Sequence, residues 1–183
     1  SGLLPDGVVD LDARGLLINA VAAYMVGSQR LYDWADGRPL LHPVELTHDP
    51  SRLCADTLAP FIACNTAVEI DIAGQVNVEG TASALVGGIG GHADYAAAGT
   101  RSLGGLSVVA ISTEHRGRPT LVRELSRPVT TASHDVDVVV TERGAVELRG
   151  LDRAERAAAL LDLWEGKVYA AGADVTGVLT KTQ

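Results

Sequence analysis

The sequence of 183 residues predicts an α/β fold with an open, mostly parallel sheet flanked by helices. Three observations lead to this prediction. Short β-prone runs alternate with helical segments, glycine-rich turns separate them, and 46% of the residues are hydrophobic while only 4% are aromatic. We therefore expect a core of Val, Leu, Ile and Ala, in a sheet that binds ligands at the carboxyl ends of its strands.

The N-terminal third is predicted to alternate between helices and extended segments. Residues 5–13 are expected to form a helix, because Asp6 is a suitable cap and apolar residues follow it. The apolar run at residues 20–26 predicts a strand, and residues 30–35 predict one or two helical turns. Pro39 and Pro43 break the regular structure that follows, and residues 40–46 are expected to form an interrupted extended segment.

The rest of the chain is richer in strands. Further β-prone runs occur at residues 61–64, 67–72, 75–78, 106–112, 120–125 and 135–141. The run at residues 106–112 has the composition of a fully buried strand. Residues 151–164 are predicted to form a helix, because their apolar positions follow the i, i+3, i+4, i+7 spacing. From residue 170 onward the weak patterning predicts a loose tail.

Composition and charge exclude several classes of protein. The net charge of −8 argues against general binding to nucleic acid or to a membrane surface. Cys54 and Cys64 are too few for a disulfide framework and lack a zinc-binding spacing, so we expect free thiols and no metal. The absence of a signal peptide or a long apolar run predicts a cytoplasmic protein. The scarcity of lysine relative to arginine is typical of a GC-rich bacterial genome.

The most informative segment is the glycine loop, which we define as residues 87–91. Gly87, Gly88, Gly90 and Gly91 lie between a short apolar run and a predicted helix start. Glycine lets a ligand approach bare backbone N–H groups closely, and a helix N-terminus favours an anion or a polarised carbonyl oxygen. The loop is therefore predicted to bind a ligand, and a tight strand-to-helix turn is the alternative.

A dinucleotide-binding turn is a further interpretation of the same loop. Residues 88–93 fit the pattern G-x-G-x-x-A, and Glu114 follows the next strand at about the separation expected of a ribose-binding acid. However, the intervening helix is predicted to be short, at residues 92–99, and nothing downstream indicates a second nucleotide-binding half. An NAD-binding domain is therefore the less favoured interpretation.

Several blocks of sequence, taken in order, resemble the C-terminal half of the acetyl-CoA hydrolase/transferase family, which groups with 4-hydroxybutyrate CoA-transferases. The blocks are NTAVEIDIAGQVN at 65–77, GGIGGHADY at 87–95, GGLSVVA at 104–110, VTT at 129–131 and VVVTERGAVELRG at 138–150. The resemblance covers residues 1–163 as one domain, and residues 164–183 are expected to be a divergent tail. It implies one of two Rossmann-like halves that enclose an acyl-CoA site.

The resemblance also implies which residues contact coenzyme A. It places the four glycines of the loop and His92 near the CoA thioester, where N–H donors would stabilise an oxyanion. Asp94 is expected to brace the following helix. The family usually has Gln and Phe where this sequence has His92 and Tyr95, so contacts at the site are expected to differ. Further supporting polar residues are expected to be Asn65, Asp71 and Gln75.

The position of the family's nucleophile is a clear departure. The resemblance implies a glutamate that attacks the thioester and forms a glutamyl-CoA intermediate. The aligned residue here is Gly2, which has no side chain, so water is favoured as the acyl acceptor. Glu69, Glu142 and Glu147 are candidate replacements. Glu142 is the best placed of them, at a predicted strand end, and a carboxylate that holds a turn is the alternative for it.

Arginines supply a candidate phosphate site. The stretch from residue 101 to residue 127 is locally basic in an otherwise acidic chain. Arg101, Arg116 and Arg118 are suited to the pyrophosphate and 3′-phosphate of CoA. An exposed, solvated loop is the alternative for this stretch.

The resemblance implies an acyl-CoA and a small carboxylic acid as substrates, and an N-terminal half that this sequence lacks. Three explanations stay open: a fragment of a longer protein, a separate subunit that supplies the missing half, or a reduced paralogue that binds CoA without transferring acyl groups. A homodimer is also compatible with the sequence. The alternative in function is a non-catalytic acyl-CoA-binding module.

Overall fold

The protein is a mixed α/β structure that forms two compact units. The computed structural model describes residues 1–55 and 60–169. One unit comprises Ser1–Leu53 and the other Cys54–Gln183. Cys54 and Cys64 are free thiols, as the sequence predicts. No helix in the described part of the chain is long and apolar enough to cross a membrane.

The first unit is built from short helices around a two-stranded parallel sheet. Its elements are β1 (Leu3–Leu4), α1 (Gly7–Ala13), β2 (Tyr24–Met25), α2 (Gln29–Ala35), α3 (Val44–Thr47) and α4 (Pro50–Leu53). Strands β1 and β2 are parallel neighbours. The buried core side chains include Leu4, Val8, Leu31 and Leu40. The predicted helices at residues 5–13 and 30–35 are confirmed as α1 and α2, whereas α4 had no signal in the pattern.

Two expectations for this unit need correction. Only the first half of residues 40–46 is extended, where Leu41 forms a parallel bridge with Ala22; α3 begins directly after Pro43, whose φ of −65° is compatible with a helix start. Asp6 makes no capping bond to α1. Its carboxylate instead accepts hydrogen bonds from the Ser28 amide at 3.0 Å and from the Ser28 hydroxyl at 2.6 Å, so it joins the starts of α1 and α2.

The second unit contains the main sheet. Its strands are β3 (Ile62–Thr66), β6 (Leu106–Ala110), β10 (Val138–Thr141) and β11 (Gly144–Glu147), in the order β11-β10-β6-β3. Strands β3, β6 and β10 are parallel to one another, and β11 pairs antiparallel with β10. The predicted strands at residues 61–64, 106–112 and 135–141 are confirmed. Strand β11 was missed, because its exposed residues carry little hydrophobic signal.

Two helices flank this sheet. Helix α5 (His92–Arg101) packs against β3 and β6, and α6 (Arg153–Leu163) packs against β11. Gly99 permits the close approach of α5, since a Cβ there would lie 2.6 Å from the Leu106 carbonyl oxygen. Helix α6 begins with a capping box in which Asp152 accepts from the helix amides and Glu155 accepts from the Asp152 amide. The helix predicted at residues 151–164 is confirmed.

A smaller sheet and a hairpin follow the carboxyl ends of the main strands. The small sheet contains β4 (Glu69–Asp71), β5 (Val76–Asn77) and β9 (Leu121–Val122), in the order β5-β4-β9. The hairpin is formed by β7 (Glu114–His115) and β8 (Arg118–Pro119). The sequence predicted the three strands of the small sheet but not the hairpin, because charged and glycine residues dominate it.

The main core of this unit extends past the predicted domain boundary. Trp164, which the sequence assigns to the divergent tail, is 1% exposed and packs with Leu121, Val139 and Leu160. Its indole N–H donates to the Thr113 carbonyl at 2.9 Å. Residues 164–169 are therefore part of the folded unit. The loose tail predicted from residue 170 onward lies outside the described residues.

Candidate functional site

The glycine loop lies between two ordered supports, an irregular hairpin and helix α5. The hairpin, which we call the stem, spans residues 79–87. Within the stem the Glu79 carbonyl accepts from the amides of Val86 at 2.7 Å and Gly87 at 3.2 Å. Residues 82–90 are exposed, and Gly90 adopts a left-handed φ of +57°. The loop therefore projects from a fixed base with its backbone facing outward.

The backbone amides of the loop are mostly free to bind something else. The Gly87 amide donates a hydrogen bond within the stem. The backbone amides of residues 88–91 donate to no acceptor in residues 1–55 or 60–169. A Cβ added at Gly87, Gly88 or Gly90 would meet no atom within 4 Å. The left-handed φ accounts for glycine at position 90, but neither backbone conformation nor internal packing requires Gly87 or Gly88, whereas the close approach of a ligand would.

The stem is held by a side chain beneath it. Asn77 is fully buried, and its amide group donates to the Gly80 carbonyl at 2.7 Å while its carbonyl accepts from the Glu79 amide at 2.9 Å. A Cβ at Gly80 would lie only 2.1 Å from the Ala84 carbonyl oxygen, so the two sides of the stem pack closely. Arg127 adds a bond from its Nε to the Thr81 carbonyl at 2.9 Å.

The other end of the loop is held by His92, the first residue of α5. Its Nε2 lies 3.0 Å from the Thr66 carbonyl, and its Nδ1 lies 2.7 Å from the Thr131 hydroxyl. A carbonyl only accepts, so Nε2 carries the hydrogen and Nδ1 accepts from Thr131. Burial lowers the pKa of His92 below its usual value, which keeps the ring neutral. Both ring nitrogens of His92 therefore bond to protein groups and are not available to a ligand in the loop.

The supporting residues chosen from the sequence take different positions. Asn65 donates to the His92 carbonyl at 3.5 Å and so lies at the helix start. Asp71 and Gln75 belong to the turn between β4 and β5: Asp71 accepts from the Gln75 amide at 2.9 Å and from its side chain at 2.6 Å. Asp94 lies in the first turn of α5, where the positive end of the helix dipole stabilises its negative charge.

The carboxyl ends of the three parallel strands meet at one edge of the main sheet. His92 lies at the end of β3, the β7–β8 hairpin follows β6, and Glu142 follows β10. Strands β3 and β10 are separated only by β6, which corresponds to roughly 10 Å at the base of the edge. This is the edge at which open α/β sheets bind their ligands.

Glu142 is bonded to the end of the neighbouring strand. Its carboxylate accepts from the Thr113 hydroxyl and from the Thr113 amide at 3.0 Å. The Thr113 hydroxyl, and next the backbone amides, hold the pKa of Glu142 below its usual value. A carboxylate in this arrangement is a weak base that fixes a turn.

The arginines do not form one cluster. Arg101 ends α5, a helix of ten residues and about 15 Å, so it lies at the opposite end from the glycine loop. Arg116 and Arg118 belong to the hairpin at the carboxyl edge, where Arg116 has a φ of +51° and Arg118 lies over the Tyr169 ring. The structure therefore places Arg101 apart from Arg116 and Arg118.

Gly2 belongs to the first unit, where only its backbone makes hydrogen bonds. Its carbonyl accepts from the amides of Ala23 and Tyr24 at 3.1 Å each. Among the described residues there is also no group of three or more His, Cys, Asp or Glu side chains suited to hold a metal ion.

Sequence reasoning missed the roles of Asn77 and Ser126, whose side chains both bond to Glu69. Glu69 was considered as a replacement nucleophile, yet it is 6% exposed and bonded to Asn77 and Ser126. The only available signal was that polar residues, such as Glu69 and Asn77, occur within short strands whose other residues are mostly apolar. Ser126 is distant in the sequence, and no local pattern connects it to Glu69.

Comparison with known proteins agrees with the resemblance noted in the sequence. A profile of the acetyl-CoA hydrolase/transferase C-terminal domain matches residues 27–168. The 4-hydroxybutyrate coenzyme A transferase of Clostridium kluyveri is 28% identical over 176 residues, covering 89% of this chain and 41% of that protein. The acetyl-CoA hydrolase of Schizosaccharomyces pombe is 34% identical over 134 residues, covering 72% and 25%.

A solved structure shows the same fold. RipA from Yersinia pestis superposes with a TM-score of 0.74 at 28% identity, and the match covers 88% of this chain and 39% of that one. The chain therefore spans well under half the length of the relatives it matches.

Proposed function

Because the chain belongs to the acetyl-CoA hydrolase/transferase family, we propose that it binds an acyl-CoA and supports either CoA transfer to a carboxylic acid or hydrolysis of the thioester. One observation carries this proposal. The glycine loop presents the unbonded amides of residues 88–91 beside the start of α5, at the carboxyl edge of a parallel sheet. The relatives named for CoA transfer and for acetyl-CoA hydrolysis support both reactions.

The loop amides would act on the thioester carbonyl. Attack on this carbonyl converts its oxygen into an oxyanion, and fixed N–H donors stabilise that charge more than they stabilise the ground state. The positive end of α5 adds to the same field. The stem and His92 hold the two ends of the loop, so the donors need little reorganisation when charge develops.

The choice of attacking group follows from the residue at position 2. Gly2 stands where the family resemblance expects the glutamate nucleophile, so exchange through a side chain at that position is excluded. Water is then the simplest acyl acceptor. Glu142 is assigned the positioning of Thr113 rather than attack, because its carboxylate is bonded and its pKa is lowered.

The phosphates of CoA are assigned to the β7–β8 hairpin. Arg116 and Arg118 lie there, on the same edge of the sheet as the loop, and guanidinium groups bind phosphates with directed N–H donors. Arg101 is omitted, since α5 separates it from the loop.

The remaining part of the acyl-CoA pocket is assigned to an additional half, either on the same polypeptide or on a separate subunit. The support is the length of the relatives, of which this chain matches 41% in the C. kluyveri transferase. A second candidate function, an acyl-CoA-binding module without catalysis, is favoured by the glycine at position 2.

The test measures binding and turnover separately. Calorimetric titration with CoA, acetyl-CoA and NADH identifies the ligand class, and thiol release from acetyl-CoA, with and without added acetate or butyrate, identifies the reaction. Binding of CoA but not NADH supports the proposal, and thiol release distinguishes an enzyme from a binding module. Binding of NADH alone, or of neither nucleotide, would refute it.

A further inference from the structure

We propose that Glu69 is a positioning residue that fixes the glycine loop through the stem, an inference that rests on the proposed function for its effect on CoA. Glu69 belongs to β4 and is 6% exposed. No lysine or arginine forms an ion pair with it within the described ranges. Neutral donors alone therefore stabilise a buried carboxyl group, and such a group is costly to keep unless it is fully bonded.

The donors around Glu69 come from two segments that are distant in sequence. Asn77 Nδ2 donates to Oε2 at 2.9 Å, and the Ser126 amide donates to the same oxygen at 3.0 Å. The Ser126 hydroxyl lies 2.8 Å from both carboxylate oxygens. Asn77 and the Ser126 amide both donate to Oε2, and a charged carboxylate oxygen makes such bonds roughly twice as strong as a neutral amide oxygen would.

The bond from Glu69 fixes the side-chain orientation of Asn77. With one Nδ2 hydrogen directed to Glu69, the other reaches the Gly80 carbonyl and Oδ1 faces the Glu79 amide. The Glu79 carbonyl in turn accepts from Gly87, the first residue of the loop. A continuous series of hydrogen bonds thus runs from the buried carboxylate to the base of the amide donors.

The second segment clamps the stem from its other side. Ser126 is fixed to Glu69, and the adjacent Arg127 donates to the Thr81 carbonyl in the stem. Loss of the carboxylate would therefore release the stem at Asn77 and at Arg127 together. The loop would then lose its preorganisation without losing any of its own residues.

The experiment compares Glu69→Gln with Asp137→Asn as a matched control. Asp137 is also buried and accepts from the Ser107 amide of β6 at 2.9 Å, but it directly precedes β10 and makes no bond to the stem among the described residues. Both substitutions replace a buried carboxylate by the isosteric amide. We expect Glu69→Gln to weaken CoA binding about tenfold, whereas Asp137→Asn leaves CoA affinity unchanged at a similar loss of thermal stability.

Amide hydrogen exchange without ligand gives a readout independent of CoA. We expect the bonded stem amides of Glu79, Thr81, Val86 and Gly87 to exchange about tenfold faster in Glu69→Gln and at the original rate in Asp137→Asn. Unchanged exchange in Glu69→Gln, or equal effects of the two substitutions, would overturn the proposal.

A second variant covers the case in which Glu69→Gln fails to fold. Ser126→Ala retains the carboxylate and removes one donor, and it is expected to raise stem exchange in the same direction. Unchanged stem exchange in Ser126→Ala would then overturn the proposal. If the unsubstituted protein binds no CoA, the proposed function fails, and the exchange data alone decide whether Glu69 holds the stem.

Discussion

The sharpest test of the glycine loop compares alanine substitutions at two glycines that have similar backbone conformations and similar free space around them. Gly90 has a φ of +57° and Gly150 a φ of +75°, and a Cβ at either position would meet no atom within 4 Å. Gly90→Ala and Gly150→Ala therefore impose the same kind of backbone strain without a steric clash. Only Gly90 lies in the proposed cradle of amides.

The magnitudes follow from this geometry. An L-residue in the left-handed region costs about 1–2 kcal/mol, so both variants are expected to lose a similar amount of unfolding free energy. For a chain of 183 residues each kcal/mol lowers the thermal midpoint by about 2–4 °C. Gly90→Ala is also expected to weaken CoA binding about tenfold, the cost of one misplaced hydrogen bond at the ligand. Gly150→Ala is expected to bind CoA like the unsubstituted protein.

Differential scanning calorimetry measures the first quantity and isothermal titration with CoA the second. An equal loss of CoA affinity in both variants would rule out a specific role for the Gly90 backbone, because strain alone would then explain the effect. Full CoA affinity in Gly90→Ala would equally rule it out.

Three further predictions concern the fold around the site. Asp152→Ala removes the capping box of α6 and is expected to lower the unfolding free energy by about 1 kcal/mol in urea titrations; no loss would contradict the capping role. Because burial lowers the pKa of His92, the unfolded chain takes up the proton first, so stability present above pH 6.5 is expected to fall as the pH drops below that value. His92→Gln should lack this component, and identical acid dependence of the two proteins would argue against it. A chain ending at Leu163 lacks the buried Trp164 and is expected to lose cooperative thermal unfolding, whereas an unchanged midpoint would restore the predicted tail boundary.

Local signals explain what the sequence predicted well. Helix α6 combines a capping pair with regular apolar spacing, and both act within a few residues of one another. The buried strand β6 and the loop before α5 are likewise defined by contiguous residues. In such segments each local preference agrees with the final fold, so sequence reasoning succeeds.

The failures share the opposite property, because the deciding partner is distant in the sequence. Asp6 suits a helix cap, yet Ser28 captures its carboxylate. Glu69 suits a catalytic role, yet Ser126 and Asn77 enclose it.

Amide-resolved NMR during a titration with CoA reads the loop N–H groups themselves and so tests whether they contact the ligand. The resonances of residues 88–91 are expected to move most and to saturate with the calorimetric affinity. Saturable binding of CoA that leaves those four resonances in place would contradict this expectation.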